Sequence, residues 1–391
     1  MPAVAAVAAV AAVAALAAVA QSATAATHKS FKGTVKVGVV ADITGDLSVA
    51  SDMQAALAYF DKVNASGGVD GYKIVPTEYD TQSSPSTAVQ AFRRAIAAKP
   101  AAIVGSSDVA GSALPTLAQS GIPSVGDGFA PGWTGHKNLF PIEGDQVGHY
   151  SNVMLVVQKL YGHATKIAVL GGTVGLPDAK NIIAQAPKTG VQLVMQDLET
   201  PLVPTSAQFL TLAEQIKASG AQGVVGLGVE GQSQLQVDLN QLGAQTTVIA
   251  TDLGPATTSE NGLLYSNSWA EPFVKNDPGI NAYIAAMKKY GYGKLVFSSA
   301  YGPIKWAMAA LLVQGLKKAG PPFSRNAVVK ALGETKNFTA DGVVPDASFP
   351  AFQKVGTSCQ VVLKVVNGQW VSEKNNAYPF VCGGPSLMNP S

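Results

Sequence analysis

Charge is scarce in this chain. Asp, Glu, Lys and Arg make up 13% of 391 residues, and the formal net charge is +2. That excludes the basic field of a nucleic-acid binder, and no Lys/Arg cluster is offered to an anionic membrane surface. Cysteine is nearly absent: Cys359 and Cys382 are the only two, with no C-x-x-C redox motif. His28, His136, His149 and His163 are scattered, without metal-ligand spacing to Cys or carboxylates. No G-x-S-x-G elbow and no P-loop occurs. No metal, cofactor or catalytic residue is therefore predicted. A carboxylate pair for glycoside hydrolysis stays open, because its members lie far apart in sequence and leave no spacing to read.

What the chain has is apolar residues, 47% of the total, enough for a sizeable core. Its length suggests about two domains. Residues 1–26 stand apart: they are almost all Ala and Val and end in the small-x-small pattern Ala23-Thr24-Ala25. That reads as the apolar region and cleavage site of a secretory signal, although no Lys or Arg precedes it. A membrane anchor is the alternative, since the run is barely long enough to span. An exported protein with one isolated pair of cysteines is expected to join Cys359 to Cys382; two free thiols are the alternative.

After residue 34, short apolar strands alternate with helices. Strands are predicted at 35–41, 74–79, 101–105, 122–125, 166–170, 192–195, 223–226 and 247–250. Helices are predicted at 51–64, 86–98, 111–120, 145–160, 178–186, 207–219, 231–242, 277–290, 298–319 and 324–332. This alternation argues for parallel sheets covered on both faces. It breaks near 139–145, 262–268 and 338–344. The tail 359–371 reads as a β-hairpin around Asn367-Gly368.

The segment 35–82 carries the most information. A strand leads through a polar loop into a helix ending at Asn64, followed by Gly67-Gly68-Val69-Asp70-Gly71-Tyr72-Lys73 and a second strand. Glycines just past a helix end enter the left-handed region without strain. This N-x-x-G-G-V-x-G-x-K order resembles the opening of the branched-chain amino-acid (leucine/isoleucine/valine) type of periplasmic solute-binding protein, the type I receptors of ABC importers. The resemblance implies an α/β fold of two Rossmann-like lobes with parallel sheets and three crossovers. The three breaks then divide the chain into lobe 1 (34–141 plus 269–337) and lobe 2 (142–268 plus 338–391). It also implies an extracytoplasmic protein, expected to be monomeric, that hands a small molecule to a membrane permease. No Cys follows the apolar leader, so a lipid-anchored form is not expected.

In open α/β sheets, ligands sit beyond the carboxyl ends of the strands. In lobe 1 the loops there contain Ser106, Ser107, Asp108 and Ser112, and then Asp127 and Phe129. In the resembled receptors these two loops hold the ligand's α-carboxylate with hydroxyl and main-chain donors, a task suited to Ser106, Ser107 and Ser112. Asp127 departs from that pattern and is expected to repel a carboxylate. The alternative for the serines is loop capping. Lobe 2 offers a loop with Glu230, and Asp252, which aligns with the family's ammonium-binding carboxylate; a helix N-cap is its alternative. Tyr301 aligns with an aromatic at the cleft rim, with core packing the alternative, and Trp133 is a further candidate lining residue.

The ligand is then expected to be an amino acid or an amino-acid-like amide, with a cation or polyol as the alternative. Gly226-Leu227-Gly228-Val229-Glu230-Gly231, with Asp252 some way on, also fits a dinucleotide fingerprint. The motif lies deep in the chain, and an exported protein meets little NAD, so a tight cleft turn is preferred. A secreted enzyme on the same architecture and a sensor for a membrane partner are the remaining alternatives.

Overall fold

The computed structural model describes residues 30–143, 146–162, 164–172, 175–250, 253, 256–297, 301–349, 359–372 and 379–382. The apolar leader and Asp252 lie outside them. The first sheet is built from β1 (Gly33–Ala41), β2 (Tyr72–Asp80), β3 (Ala102–Ser106), β4 (Ser124–Gly126) and β5 (Leu139–Pro141). Its order is β2-β1-β3-β4-β5 and every pairing is parallel. Helices α1 (Ala50–Ala65), α2 (Pro85–Ala97) and α3 (Leu114–Ser120) connect these strands. The helix predicted over 111–120 is a 3₁₀ turn at Ala110–Ser112 followed by α3. Pro115 has no N–H with which to continue a ladder from residue 111.

The N-x-x-G-G segment is a fastener between helix and strand. The Asn64 side chain donates to the Ile74 carbonyl at 2.9 Å and accepts from the Ile74 N–H at 2.8 Å. This clamps the end of α1 to β2. Gly68 has φ +75°, and a Cβ there would stand 2.0 Å from the Tyr72 carbonyl oxygen, so no side chain fits.

The second sheet begins after α4 (Gln146–Tyr161). Its parallel part is β6 (Lys166–Gly171), β7 (Gln192–Asp197), β8 (Gly223–Leu227), β9 (Thr247–Ala250) and β10 (Leu264–Asn267), linked by α5 (Leu176–Thr189), α6 (Ser206–Ser219) and α7 (Gln232–Gln241). An antiparallel extension follows: β11 (Cys359–Val366), β12 (Gln369–Ser372) and β13 (Phe380–Cys382). The order is β7-β6-β8-β9-β10-β11-β12, with β13 also on β11. Asn367 (φ +51°) and Gly368 (φ +73°) turn the predicted hairpin, both on the positive side as a two-residue hairpin turn demands. Cys359 faces Cys382 across β11 and β13, and the two form a disulfide.

Between β10 and β11 the chain forms α8 (Pro278–Lys289), α9 (Gly302–Ala319) and α10 (Arg325–Gly333). Helix α9 packs on α1, β3 and β4, and it is buried all round from Gly302 to Val313. Residues 338–349, which the third break assigns to lobe 2, contact the first sheet instead: Phe349 packs edge-on against Phe140 of β5, and the Val343 carbonyl accepts from the Ala270 N–H.

Candidate functional site

Three strands of the first sheet end in acidic or hydroxyl residues at neighbouring positions. Asp42 follows β1, Ser106 closes β3, and Asp127 follows β4. Asp42 is a hub. It accepts from the Ser107 hydroxyl at 2.8 Å, from the Asp108 N–H at 3.1 Å, and from the Thr81 hydroxyl. It thereby ties the loop after β3 to the end of β2.

Asp127 is fully buried and ion-paired to Lys305 of α9, with Nζ to Oδ2 at 2.6 Å and neither side chain exposed. The same oxygen accepts from the Ser106 hydroxyl at 2.7 Å, and Oδ1 accepts from the Phe129 N–H at 3.2 Å. The expectation that Asp127 stands as a bare repulsive charge is therefore corrected. Its charge is matched inside the wall by an ammonium that the sequence reading did not select. A signal for it was present: Lys305 is the one charged residue in an otherwise apolar helical run, and such a residue needs a partner when buried.

Asp108 differs from its neighbours. Its side chain is exposed, and its carboxylate has no hydrogen bond or ion pair among the described residues. Surrounding protein and the nearby Asp127 carboxylate push it up to about 7, with Lys305 opposing and Asp42 adding to the rise.

Aromatic rings stand beside this cluster. Phe129 and Tyr301 meet edge to face with centroids 5.7 Å apart, and Trp269 lies 5.5 Å from Tyr301 and 6.2 Å from Phe129. Phe129 and Tyr301 are half-buried, whereas Trp269 is fully buried. The Lys305 ammonium sits over Phe129 at 4.9 Å and Tyr301 at 5.8 Å. The Tyr301 N–H donates to Asp52 of α1 at 3.1 Å, which sets the start of α9. Behind the rings, Glu271 accepts from the Trp269 indole at 2.7 Å and from the Tyr265 hydroxyl of β10 at 2.6 Å. Burial raises its carboxyl well above the ordinary range, against the pull of those two donors. Asp42, Trp269 and Glu271 were also missed in sequence: Asp42 bonds partners 39 to 66 positions away, and the Trp269–Glu271–Tyr265 cluster is local but forms no motif.

Of the predicted residues, Ser106, Ser107, Asp108, Asp127, Phe129 and Tyr301 come together. Ser112 is exposed in the 3₁₀ turn after β3, outside the hydrogen-bonded cluster. Trp133 does not line the site: its ring is buried against Gly105 and Gly126, in the core with Phe92 and Leu114. Glu230 lies at the end of the second sheet, exposed, with its N–H donating to the Leu202 carbonyl at 2.6 Å. The glycines around it have local reasons. Gly228 and Gly231 have positive φ, and a Cβ on Gly226 would stand 2.6 Å from the buried Gln232 amide. That amide donates to the carbonyls of Gly226 and Val229, so the fingerprint loop is closed on itself. Among the described residues, no three His, Cys, Asp or Glu are placed to hold a metal ion.

The family model described as "Periplasmic binding protein" matches residues 34–369. No curated protein matches the chain. Solved structures do. An ABC transporter substrate-binding protein of Aeropyrum pernix superposes with a TM-score of 0.73 at 16% identity, covering 91% of this chain and 97% of its own. A branched-chain amino-acid ABC transporter protein of Thermus thermophilus with bound valine gives 0.70 at 17% identity, covering 88% and 96%. A fatty-acid ABC transporter substrate-binding protein of Thermomonospora curvata gives 0.67 at 18% identity, covering 92% and 93%. The chain belongs to the periplasmic binding proteins of type I, which bind solutes and are not enzymes.

Proposed function

We propose that this protein is the extracytoplasmic receptor of an ABC importer, and that it captures one small polar molecule between two lobes that close on a hinge. One lobe comprises the first sheet with residues 269–349. The other comprises the second sheet from residue 142 to 268 and from 359 onward. The observation that carries the reading is the gathering of Ser107, Asp108, Asp127, Phe129 and Tyr301 at the carboxyl ends of β3 and β4, where ligands of open α/β sheets sit. The buried serines and Asp42 shape this wall, and Asp108, Phe129 and Tyr301 face the ligand. Asp252 is proposed as the second lobe's contact to a ligand amino group. Residues 1–26 are proposed as the export signal. Ligand touching both lobes stabilises the closed form through its differential affinity, and the permease reads that form.

The test is thermal shift with small-angle scattering over amino acids, amides, amines and fatty acids. At a free concentration of about 100 times its Kd, the right ligand adds about 2.7 kcal/mol and shrinks the radius of gyration. One rigid shape in every condition, or a guest recovered chemically altered, overturns the reading.

A further inference from the structure

The closure of the hydrogen-bond account on the first-lobe wall says which charge a ligand must bring; this step rests on the cleft reading above. The donors suited to a ligand carboxylate are already occupied by the protein's own carboxylates. The Ser106 hydroxyl, the Phe129 N–H and the Lys305 ammonium are all held by Asp127. The Ser107 hydroxyl and the Asp108 N–H are held by Asp42. The Asp127 charge is matched by Lys305, which leaves the carboxylates of Asp42 and Asp108 on this wall without an ion pair among the described residues. An acid placed there loses hydration, finds these hydroxyl and main-chain donors already bonded and the Lys305 ammonium fully buried, and meets like charge.

The Asp108 carboxylate and the aromatic rings of this wall have the opposite character. The Asp108 carboxylate is exposed and unpaired among the described residues. The rings of Phe129 and Tyr301 already face one cation, Lys305, and both keep exposed surface. A charge-assisted hydrogen bond to Asp108 and an aromatic surface for the attached carbon chain suit an ammonium group carrying an apolar body.

We infer that the first-lobe wall selects a primary amine with an apolar body, held at Asp108, and turns carboxylates away. The ligand class is thus an amine or an amino-acid amide rather than a free acid, and Asp108 is the specificity-determining residue.

The experiment is calorimetric titration of the full chain with four matched probes: 3-methylbutylamine, leucinamide, leucine and 4-methylpentanoate. The amine and the amide bind, the acid does not, and leucine binds more weakly than its amide. Asp108→Asn weakens amine binding at least tenfold without lowering Tm, whereas Asp108→Glu keeps it within a few-fold. If 4-methylpentanoate binds as tightly as the amine, or Asp108→Asn leaves amine affinity within twofold, the inference is overturned while the cleft reading stands. If no probe gives heat, the inference is overturned, and the cleft reading falls with it only if scattering also shows one rigid shape across the wider panel.

Discussion

At the carboxyl ends of β1, β3 and β4 stand Asp42, Ser106, Ser107, Asp108 and Asp127; at the ends of β6 and β8 stand Gly171, Gly172, Leu227 and Gly228. The first edge is made of side chains that bond one another. The second is backbone against backbone. A Cβ on Gly172 would lie 2.2 Å from the Gly228 carbonyl oxygen, and one on Gly175 would lie 2.3 Å from the Leu227 carbonyl. The sheets also differ in how they are secured. The first is wholly parallel, with a buried ion pair where α9 meets β4. The second continues antiparallel beyond β10 and carries a disulfide there. The same α/β plan thus supports two kinds of edge, one of interbonded polar side chains and the other of closely packed peptide groups.

The ion pair gives the largest effect by which the comparison can be broken. Lys305→Met leaves Asp127 buried and unpaired, and removing one partner of such a pair costs about 3–5 kcal/mol. Adding Asp127→Asn to that variant removes the orphaned charge and restores at least half of the loss. Denaturant unfolding of the two single variants and the double variant gives the coupling directly. A Lys305→Met protein as stable as the parent would mean that the first edge does not depend on its internal charge.

Much of this architecture is legible in sequence, and the reason is local. The strand–helix alternation, the N-x-x-G-G fastener and the Asn-Gly hairpin are each set by residues a few positions apart, and the structure shows them nearly where the pattern puts them. Strand β5 is hidden, because Leu139–Pro141 is only three residues long and reads as a break. So is β13, which exists only through its pairing with β11. The site divides in the same way. Ser106, Asp108 and Asp127 are visible because strand ends are visible. That Ser106 serves Asp127, and that Asp127 is neutralised by a residue 178 positions away, is a tertiary fact. Single-residue chemistry therefore reads the Asp127 charge without the ammonium that matches it.

The covalent bond of the second sheet sharpens the comparison at a smaller scale. Closing the loop between Cys359 and Cys382 stabilises by about 3 kcal/mol in the chain-entropy model. Replacing both cysteines by serine should lower stability by about that amount. The faster hydrogen exchange should appear in β10 and β11, and the first sheet should keep its protection. Alkylation of the unreduced protein should label neither cysteine, and label on both would remove the bond. Loss of protection spread evenly over both sheets would show that the two halves unfold as one unit, and the contrast drawn here would lose its energetic meaning.

The last predicted effect is the one most specific to the first edge. Surrounding protein, and after it the Asp127 carboxylate, raise Asp108 to about 7; Asp42 adds to the rise and Lys305 opposes it. The unfolded chain releases this proton near the ordinary carboxylate value of about 4, and the folded chain keeps it until about 7. Free protein therefore loses stability from this group as pH rises across that window, and none beyond it. Amine binding runs the other way, since the ammonium needs the ionised carboxylate. Its affinity should climb by up to tenfold per pH unit below about 7 and level off above. Asp108→Asn should flatten that profile while leaving the Lys305–Asp127 pair in place. Titrations with 3-methylbutylamine from about pH 5.5 to about 8.5 read the slope, because the amine itself stays protonated throughout. Affinity that falls as pH rises would mean that the edge prefers to meet its ligand with the proton on, as a donor to an acid. The assignment of charge recognition to Asp108 would then have the wrong sign.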